Sequence, residues 1–465
     1  MADGIIFEPF TINGVEFRNR VLRSSIGGRH SFYDGTPSPT FTNFEKRFAL
    51  GGVAGIISAT ITIDDERWPL LEYPRLSHDR FLPAFRRAVR EIKSTGARYI
   101  IQLGDVGAHT QLALISKDLD EKSSSRTFDL LYGYRSLSSA MTIEEIERVV
   151  ANFAAAARRV REAGCDGVEI TASKGYLIQQ FLNPAINRRT DAYGGSADNR
   201  FRLLEQVVRA VRAAIGADFL FGIRLSAADY NYLPVNLRLP VVWPLKDYFF
   251  GNTLETNLDY ARRLEALGVD YLHIDSGYGF VNPKGNPGTL PVDAVRNFFN
   301  YNRHLSAKAW FRAMLLNLIP LPLANAILNL GWKINEGGNA DFAAAFKYAV
   351  TIPVISNGGF QRREVIEDAL AGKCDIVSMA RPLLANPDLL QTLRRGRSLP
   401  DRPCTFCNRC CTTTTLVPVS CYEPQRFASR EEMEAEVLNW SANHGLPEDK
   451  PPIPEPAAAA AAAGE

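Results

Sequence analysis

Short apolar runs rich in β-branched residues alternate along the chain with longer stretches in which apolar residues recur at helical spacing. Eight such runs can be counted, at residues 20–25, 52–60, 98–104, 167–171, 220–226, 271–277, 353–359 and 376–381. This alternation is typical of a parallel sheet built from βα units. Eight parallel strands over roughly 400 residues predict an α/β fold of the (β/α)8 TIM-barrel type, with a doubly wound open sheet as the alternative.

The clearest helix is predicted to begin after Thr142 and to end at Gly164. Glu145 follows Thr142 by three residues, which is the spacing of a capping box. Apolar side chains of this stretch share one face of the predicted helix: Ile146, Val149, Val150, Phe153 and Ala157. The helix leads directly into the strand predicted at 167–171, so the two form half of a repeating unit.

Two intervals, near 227–258 and 280–348, are too long for ordinary connections. Both follow strand ends, and in a barrel those loops build the catalytic face. We therefore expect both insertions to shape or cover a substrate pocket, with a surface embellishment or a contact within a homo-oligomer as the alternative. The predicted organisation is a barrel over residues 1–400 with both insertions, a short cysteine-containing extension over 401–450 and a disordered, low-complexity tail over 451–465.

The net charge of the chain and the composition of its N-terminus limit the expected partners and cellular location. The formal net charge of the 465 residues is only +2, and basic residues are spread along the chain, so neither nucleic acid nor an acidic membrane surface is an expected partner. The N-terminus lacks the pattern of a signal peptide, which favours a cytoplasmic location. The least polar stretch, 313–330, is interrupted by Pro320, Pro322 and three asparagines. This argues against a membrane span and leaves a buried helix pair, an active-site cover or an interfacial segment.

Five of the seven cysteines fall between Cys404 and Cys421. Such a cluster in so long a chain is an improbable disulfide framework and indicates metal binding instead.

Several segments together closely resemble the Old Yellow Enzyme family of NAD(P)H:flavin oxidoreductases. The most specific is QFLNPAINRRTDAYGGS within residues 164–208; FEPFTINGVEFRNRVLRSS, YIIQLGDVG, PVISNGGF and IVSMARPLLANPDL resemble the first, third and last two strands of that family. The resemblance covers about residues 7–390 except for the insertions, in the same order throughout. It implies a (β/α)8 barrel that binds FMN and takes electrons from NAD(P)H.

The resemblance implies where FMN would bind. The backbone at Asn357, Gly358 and Gly359 can approach the phosphate, because the glycines lack side chains and a helix can start just after them. Arg381, with Ala380 before it, can add a charge-assisted contact. Gln102 and Arg224 match the residues that hydrogen-bond the flavin ring, with a barrel-mouth ion pair as the alternative role.

Three further positions match residues that border the flavin in the family, namely Ser24, Ser25 and Ala59. Gly27 stands where relatives carry a threonine or cysteine that tunes the flavin potential, so that hydrogen bond is expected to be missing.

Tyr176 matches the tyrosine that donates a proton to the substrate, a task that suits a phenol because it is neutral at pH 7. Thr171 and Lys174 replace the histidine pair, or histidine and asparagine, that hold the substrate's carbonyl oxygen in many relatives. A lysine ammonium can stabilise a developing enolate or bind a carboxylate or phosphate; alternatively Lys174 points to solvent. We expect His273 to be a hydrogen-bonded core residue rather than a catalyst.

The cysteine cluster resembles the iron–sulfur segment of the dienoyl-CoA reductase and trimethylamine dehydrogenase branch of the family. The best match assigns Cys404, Cys407, Cys411 and Cys421 as ligands of a [4Fe–4S] cluster, with Cys410 as an alternative third ligand. A structural zinc site and unmetallated thiols are the other two interpretations.

The leading functional hypothesis is an NAD(P)H-dependent ene-reductase: reduced FMN delivers hydride to an activated C=C bond while Tyr176 protonates the neighbouring carbon. An oxidative flavin dehydrogenase or demethylase is the second hypothesis, and a non-catalytic electron-transfer flavoprotein is the third. The apolar second insertion indicates a small hydrophobic substrate.

Overall fold

The computed structural model describes residues 4–69, 71–110, 121–127, 137–231, 245–279, 282, 284–414 and 416–439. Eight parallel strands close into a barrel: β1 (Val21–Arg23), β2 (Gly55–Thr62), β3 (Arg98–Gly104), β4 (Gly167–Ala172), β5 (Leu220–Ser226), β6 (Tyr271–Asp275), β7 (Val354–Ser356) and β8 (Ile376–Met379). Each strand pairs with the next, and β8 pairs with β1 through Val377 opposite Val21. Every predicted run overlaps one barrel strand. The predicted (β/α)8 barrel is confirmed, and the open sheet is excluded.

A helix follows each strand around the outside of the barrel. In chain order these are Pro39–Leu50, Leu82–Lys93, Ile143–Glu162, Ala197–Ile215, Leu254–Ala266, Ala340–Ala349, Arg363–Leu370 and Leu389–Arg394. The predicted capping box of the third helix is present, because the Thr142 hydroxyl accepts from the Glu145 N–H at 3.2 Å and the Glu145 carboxylate accepts from the Thr142 N–H at 2.8 Å. The two hydrogen bonds satisfy the backbone N–H groups of Thr142 and Glu145, which would otherwise lack partners at the helix start.

A hairpin of Phe10–Ile12 and Val15–Phe17 closes the N-terminal end of the barrel. Its Ile12 and Phe17 side chains join an apolar cluster with the barrel residues Leu22, Ala54, Ile57, Ile100, Leu220, Tyr271, Ile355 and Ile376. Burying one such side chain stabilises the fold by roughly 1.5–3 kcal/mol. The N-terminal end is therefore a packed floor, and polar chemistry is left to the opposite end, where the strands terminate.

The remaining elements lie in the connections. The shorter helices are Leu177–Leu182, Leu245–Phe250, Arg381–Ala385 and Arg409–Thr413, with 3₁₀ turns at Ile5–Phe7, Asp79–Phe81, Gly107–His109 and Pro424–Arg426. Two short strands, Lys122–Ser123 and Ser139–Ala140, pair with each other. A further helix in the extension spans Arg430–Asn439. The first insertion is described only in part, since residues 232–244 lie outside the described residues, as does the predicted tail at 451–465.

The second insertion folds into three helices, Val292–Asn302, Ala307–Asn317 and Leu321–Leu328, which we call the cap helices. Within the described ranges, no single helix is long and apolar enough to cross a membrane. The second and third cap helices meet that composition test only together, and their axes are bent by 103° at the break between them.

Candidate active site

A cavity of about 300 Å³ lies at the C-terminal ends of the barrel strands. The predicted cofactor-binding and catalytic residues that line it are Ser24, Ser25, Gln102, Thr171, Lys174, Tyr176, Arg224, Asn357, Gly358, Gly359, Ala380 and Arg381. Strand-end positions separated by more than 350 residues in sequence therefore meet at one place, as the barrel topology requires. The roles assigned to these residues stay predictions.

Ala59 is placed differently from the other predicted residues. It is buried beneath Gly27, where a Cβ atom built on Gly27 would lie only 2.2 Å from the Ala59 Cβ. No threonine or cysteine fits at position 27 unless Ala59 moves, which explains physically why a side chain is missing there. The Gly27 carbonyl instead accepts a 2.7 Å hydrogen bond from the Tyr73 hydroxyl.

Gln102, at the end of β3, is held in one orientation by its neighbours. Its Oε1 accepts from the Ser25 hydroxyl at 2.9 Å and from the Thr60 hydroxyl at 2.5 Å. Its Nε2 donates to Glu169 Oε1 at 2.6 Å. A buried amide with partners on both of its ends has little freedom to turn, so Gln102 presents a fixed pattern of donors and acceptors to the cavity.

Glu169 and His273 form the polar centre of the barrel below Gln102. Burial alone would raise the pKa of Glu169, but His273 and Arg224 reverse that shift and lower the pKa. The His273 ring contacts Glu169 Oε2 through Nδ1 at 3.0 Å and the Ser378 hydroxyl through Nε2 at 2.8 Å. His273 is fully buried, so the expectation that it is a hydrogen-bonded core residue is confirmed.

Arg224 and Lys174 share one carboxylate, that of Asp275 at the end of β6. The Arg224 guanidinium donates to Asp275 Oδ2 at 2.6 Å, and Lys174 Nζ lies 2.8 Å from Oδ1. Burial would raise the pKa of Asp275, but the two cations lower it to about 2. Because two cations face one anion, this triad keeps a net positive charge at the cavity wall. Sequence analysis missed Asp275, although its place at a strand end was a usable signal.

Lys174 is buried and does not point to solvent, so that alternative is wrong. Its backbone is in the left-handed region, with φ of 58°, which turns the side chain from the end of β4 toward β6. Besides its contact with Asp275, Nζ donates to the Ser276 carbonyl at 3.1 Å. Burial lowers the pKa of Lys174, and Asp275 opposes that shift.

Tyr176 precedes the helix Leu177–Leu182 and is buried in the cavity wall. Burial raises the pKa of its phenol to about 12, although a hydrogen bond with Thr60 and the charge of Arg224 act in the opposite direction. The phenol therefore keeps its proton at neutral pH and can donate it to a bound molecule. Thr60 links Tyr176 to Gln102, a connection that sequence analysis did not foresee.

The glycines after β7 permit a close approach of backbone segments. Gly358 has φ of 136°, and a Cβ atom there would lie 2.7 Å from the Asn339 backbone nitrogen. At Gly359 a Cβ would lie 3.0 Å from the Phe406 ring. Glycine is thus required at both positions, and the result is a cradle of backbone groups at the edge of the cavity.

Arg381 is anchored by the cysteine-containing extension. Its Nη1 donates to the Pro287 carbonyl at 2.7 Å and to Asn408 Oδ1 at 2.5 Å. The guanidinium also lies 5.3 Å from the centroid of the Phe406 ring. The extension therefore contributes directly to the wall beside the glycine cradle, and no pattern in the sequence indicated this contact.

The five clustered cysteines border two neighbouring cavities. A second, small cavity is bordered by Cys404, Cys407, Cys410 and Cys421, whereas Cys411 borders only the main cavity, which Cys410 also lines. The sulfur atoms of Cys410 and Cys411 are 4.0 Å apart. Across the described part of the chain, no three His, Cys, Asp or Glu side chains are grouped closely enough to hold a single metal ion. The metal-ligand set therefore stays a prediction, and the arrangement groups Cys410, rather than Cys411, with the other three.

The cap helices supply a wall that sequence analysis could only anticipate in outline. Its residues are Leu290, Val295, Phe298, Phe299, Arg312 and Trp332. The second insertion thus covers the cavity, as expected for an active-site cover. Tyr73 and His109 also line the cavity, and neither stands in a motif that would have identified it.

Comparisons with known proteins agree with this geometry. Residues 5–233 match the model of the NADH:flavin oxidoreductase / NADH oxidase family. The chain is 28% identical over 423 residues to a metal reductase of Desulforamulus reducens, covering 90% of this chain and 53% of that protein. It is 27% identical over 415 residues to a multifunctional alkene reductase/demethylase of Caballeronia cordobensis, covering 87% and 51%. The chain therefore spans about half the length of both relatives.

A solved structure of 2-naphthoyl-CoA reductase with 2-naphthoyl-CoA shares the fold, with a TM-score of 0.71 and 22% identity over 90% of this chain and 56% of that chain. The fold, the order of the family-like segments along the chain and the family model all indicate the same family. The chain belongs to the Old Yellow Enzyme family of NADH:flavin oxidoreductases.

Proposed function

We propose that the protein is an FMN-dependent oxidoreductase that uses NAD(P)H to reduce an activated carbon–carbon double bond in a small hydrophobic molecule. The observation that carries the proposal is the pairing of Tyr176, a neutral phenol, with the net positive Arg224–Asp275–Lys174 triad in one cavity. A proton donor beside a positive wall suits a reaction in which negative charge develops and is then protonated.

The cavity meets the requirements of FMN in three respects. The backbone of Gly358 and Gly359 packs too closely for any Cβ and borders the cavity, where it can approach a phosphate, and Arg381 stands beside it. The side-chain amide of Gln102 is held in one orientation, as hydrogen bonding to the pyrimidine edge of a flavin requires. Arg224 adds positive charge that would stabilise a reduced, anionic flavin. When bound there, FMN supplies the hydride-transfer chemistry that amino-acid side chains lack.

The side chains of the chain itself orient the substrate and move its proton. Tyr176 holds a proton on its hydroxyl and gives it to the substrate carbon. Thr171 and Lys174 face the substrate's activating group; Thr171 offers a hydroxyl donor, and Lys174 contributes positive charge that Asp275 keeps in place. The aromatic side chains of the cap, Phe298 and Phe299, exclude water and favour a hydrophobic substrate.

The proposal is tested by cofactor recovery and turnover. Purified protein is expected to be yellow, to release FMN on denaturation and to consume NAD(P)H faster when cyclohexenone is added. Recovery of FAD, or failure to take up FMN during reconstitution, would contradict the cofactor assignment. FMN uptake without any effect of an enone would leave the cofactor assignment intact and contradict the ene-reductase.

An oxidative dehydrogenase or demethylase is the second candidate function. It is favoured by Thr171 and Lys174 in place of the histidine pair, and the relative from Caballeronia cordobensis is named for both alkene reduction and demethylation. Reduction of a dye by an amine substrate, without stimulation of NAD(P)H oxidation by enones, would identify this function. Electron exchange with a protein partner alone would identify a non-catalytic electron-transfer flavoprotein.

For the cysteine extension we propose a [4Fe–4S] cluster, with structural zinc and free thiols as the alternatives. Thiolates are the usual ligands of such clusters, and four of the thiols border one small cavity. Protein purified without oxygen should contain about four iron atoms per chain. Cys410→Ser and Cys411→Ser distinguish the two ligand sets, since only the true ligand's loss should remove the iron. Stoichiometric zinc without iron would leave a structural site, and absence of both metals would leave free thiols.

A further inference from the structure

The outer face of the cap helices exposes an unusual number of large apolar side chains. Of sixteen such exposed residues in the described chain, nine fall between Tyr301 and Ile334, including Trp310, Leu318 and Leu323. Leu318 is 69% exposed, Trp310 55% and Leu323 52%. Exposed apolar side chains concentrated in one short segment are typical of a surface that meets another molecule or a membrane.

Most of the same segment carries charge of one sign. After Asp293, which is paired with Arg409, residues 294–335 contain five lysines and arginines and no aspartate or glutamate. The rest of the chain, with 48 basic and 51 acidic residues, carries a formal charge of −3. The small total charge of the protein therefore conceals a basic and apolar segment. Of the five, Arg303 and Lys333 are exposed and stand near either end of the segment in sequence, whereas Lys308 and Arg312 are buried.

No single cap helix is long enough to span a bilayer, and together the cap helices are too apolar for a purely aqueous face. The axes of the second and third cap helices are bent by 103° relative to each other, which suits helices that lie on a surface rather than cross it. Apolar side chains combined with lysine and arginine are the composition of segments that bind the boundary between lipid headgroups and acyl chains. A second copy of the chain would face the same positive charge, whereas anionic lipid complements it.

We propose that the cap helices dock the protein on the surface of a membrane that contains anionic phospholipid. Trp310, Leu318 and Leu323 enter the headgroup boundary, while Arg303 and Lys333 contact the phosphates. Because Phe298, Phe299 and Trp332 on the inner side of the same cap line the cavity, docking places the apolar wall of the cavity next to the bilayer. This inference does not depend on the reaction that the cavity catalyses.

The test uses the purified, full-length, FMN-loaded protein and sedimentation with sucrose-loaded vesicles. The protein should bind vesicles of phosphatidylglycerol and phosphatidylcholine, and should bind pure phosphatidylcholine vesicles more weakly. The double variant Leu318→Glu, Leu323→Glu should bind at least about 100-fold more weakly, roughly 10-fold for each side chain withdrawn from the boundary. Arg303→Gln and Lys333→Gln should each weaken binding to anionic vesicles by about 5-fold.

Tyr348→Glu provides the matched control. Tyr348 is 96% exposed on the barrel helix Ala340–Ala349, which leads to the start of β7 at the floor end of the barrel. Its substitution should leave vesicle binding unchanged. Because all substituted side chains are exposed, the variants should fold, and circular dichroism and flavin absorbance check this independently of lipid binding. Quenching of Trp310 fluorescence by brominated lipid should disappear in Trp310→Phe.

Two outcomes would overturn the proposal. One is absence of binding to anionic vesicles by the wild-type protein, or equal binding by wild type and the Leu318→Glu, Leu323→Glu variant. The other is a dimer in sedimentation velocity that the double variant dissociates, with no vesicle binding, which would assign the face to a second copy of the chain.

Discussion

The two walls of the cavity are built on different principles. The barrel wall consists of strand-end side chains that hold one another by hydrogen bonds and ion pairs, such as Gln102 with Glu169 and Lys174 with Asp275. The cap wall is apolar and comes from an insertion whose small core contains Leu290, Val292 and Ala324. Under the proposed function, the comparison indicates different roles for the two walls. The barrel wall holds charges and protons in place, and the cap wall determines which substrates can enter the cavity.

The largest expected effect lies on the barrel wall, at the proton donor. Tyr176→Phe removes the hydroxyl and keeps the ring, so packing should be conserved. Reduction of FMN by NAD(P)H should be nearly unchanged, whereas reoxidation by an enone should slow by about 10²–10⁴-fold. Stopped-flow measurement of each half-reaction checks this. Equal rates of reoxidation in wild type and variant would remove the proton-donor role.

The second prediction concerns the charge balance of the same wall. Asp275→Asn leaves Arg224 and Lys174 buried and facing each other without their shared anion, and breaking a buried ion pair in this way costs about 3–5 kcal/mol of unfolding free energy. Urea unfolding measures the loss. As control, Asp198→Asn breaks a largely exposed pair with Arg263 and should change stability by less than about 1 kcal/mol.

The pH dependence of this effect has a definite sign. The pKa of Asp275 is about 2 in the folded protein, whereas an unfolded aspartate has a pKa of about 3.9. Stabilisation by the lowered pKa is therefore present above pH 4 and is lost as the pH falls through about 2. The difference in stability between wild type and Asp275→Asn should shrink over that interval. A constant difference would place the effect in packing instead of charge.

The barrel wall could be predicted from sequence far better than the cap wall. Strand ends converge whenever a barrel closes, so Gln102, Arg224 and Arg381 could be assigned to one site from their positions alone. Ala59 lies against Gly27 and is not among the residues that line the cavity, because a strand-end position does not reveal which residue lies beneath another; its contact with the flavin stays a prediction. The Lys174–Asp275 contact depends on a left-handed backbone at Lys174, which no sequence pattern indicated.

Predictions for the insertion and extension were limited for a different reason. The amino-acid composition of the insertion and the extension indicated apolar helices and clustered thiols. The direction in which their side chains point, however, is decided by packing against the barrel. Phe298 turned inward and Leu318 outward although both stand in apolar surroundings along the chain. Cys410 and Cys411 are adjacent in sequence and both border the main cavity, but only Cys410 also borders the small cavity of the other three cysteines, which ligand spacing alone could not reveal.

The third prediction concerns the junction between the barrel wall and the extension. Arg381→Ala should weaken FMN binding by about 10–150-fold, since a charge-assisted hydrogen bond contributes roughly 1.5–3 kcal/mol. Fluorescence titration of the flavin-free protein with FMN measures this. Arg362→Ala is the control and should bind FMN normally, because Arg362 lies just before the helix Arg363–Leu370 with a half-exposed side chain paired with Glu336 and is not among the residues that line the cavity. Unchanged affinity in Arg381→Ala would show that Asn408 and Pro287 engage this arginine for structural reasons alone.

The smallest effect is expected on the cap wall, and it tests the proposed division most directly. Phe298→Ala shortens an apolar side chain that lines the cavity and carries no charge or proton. For a hydrophobic enone KM should rise by about 10-fold, because a hydrophobic contact in a pocket is worth roughly 1–3 kcal/mol, while kcat and FMN affinity stay the same. Phe311→Ala, at an exposed position of the same cap, is the matched control and should leave KM for the same enone unchanged. A loss of kcat in Phe298→Ala would mean that the cap also positions the substrate for proton transfer, and the separation between the two walls would then be wrong.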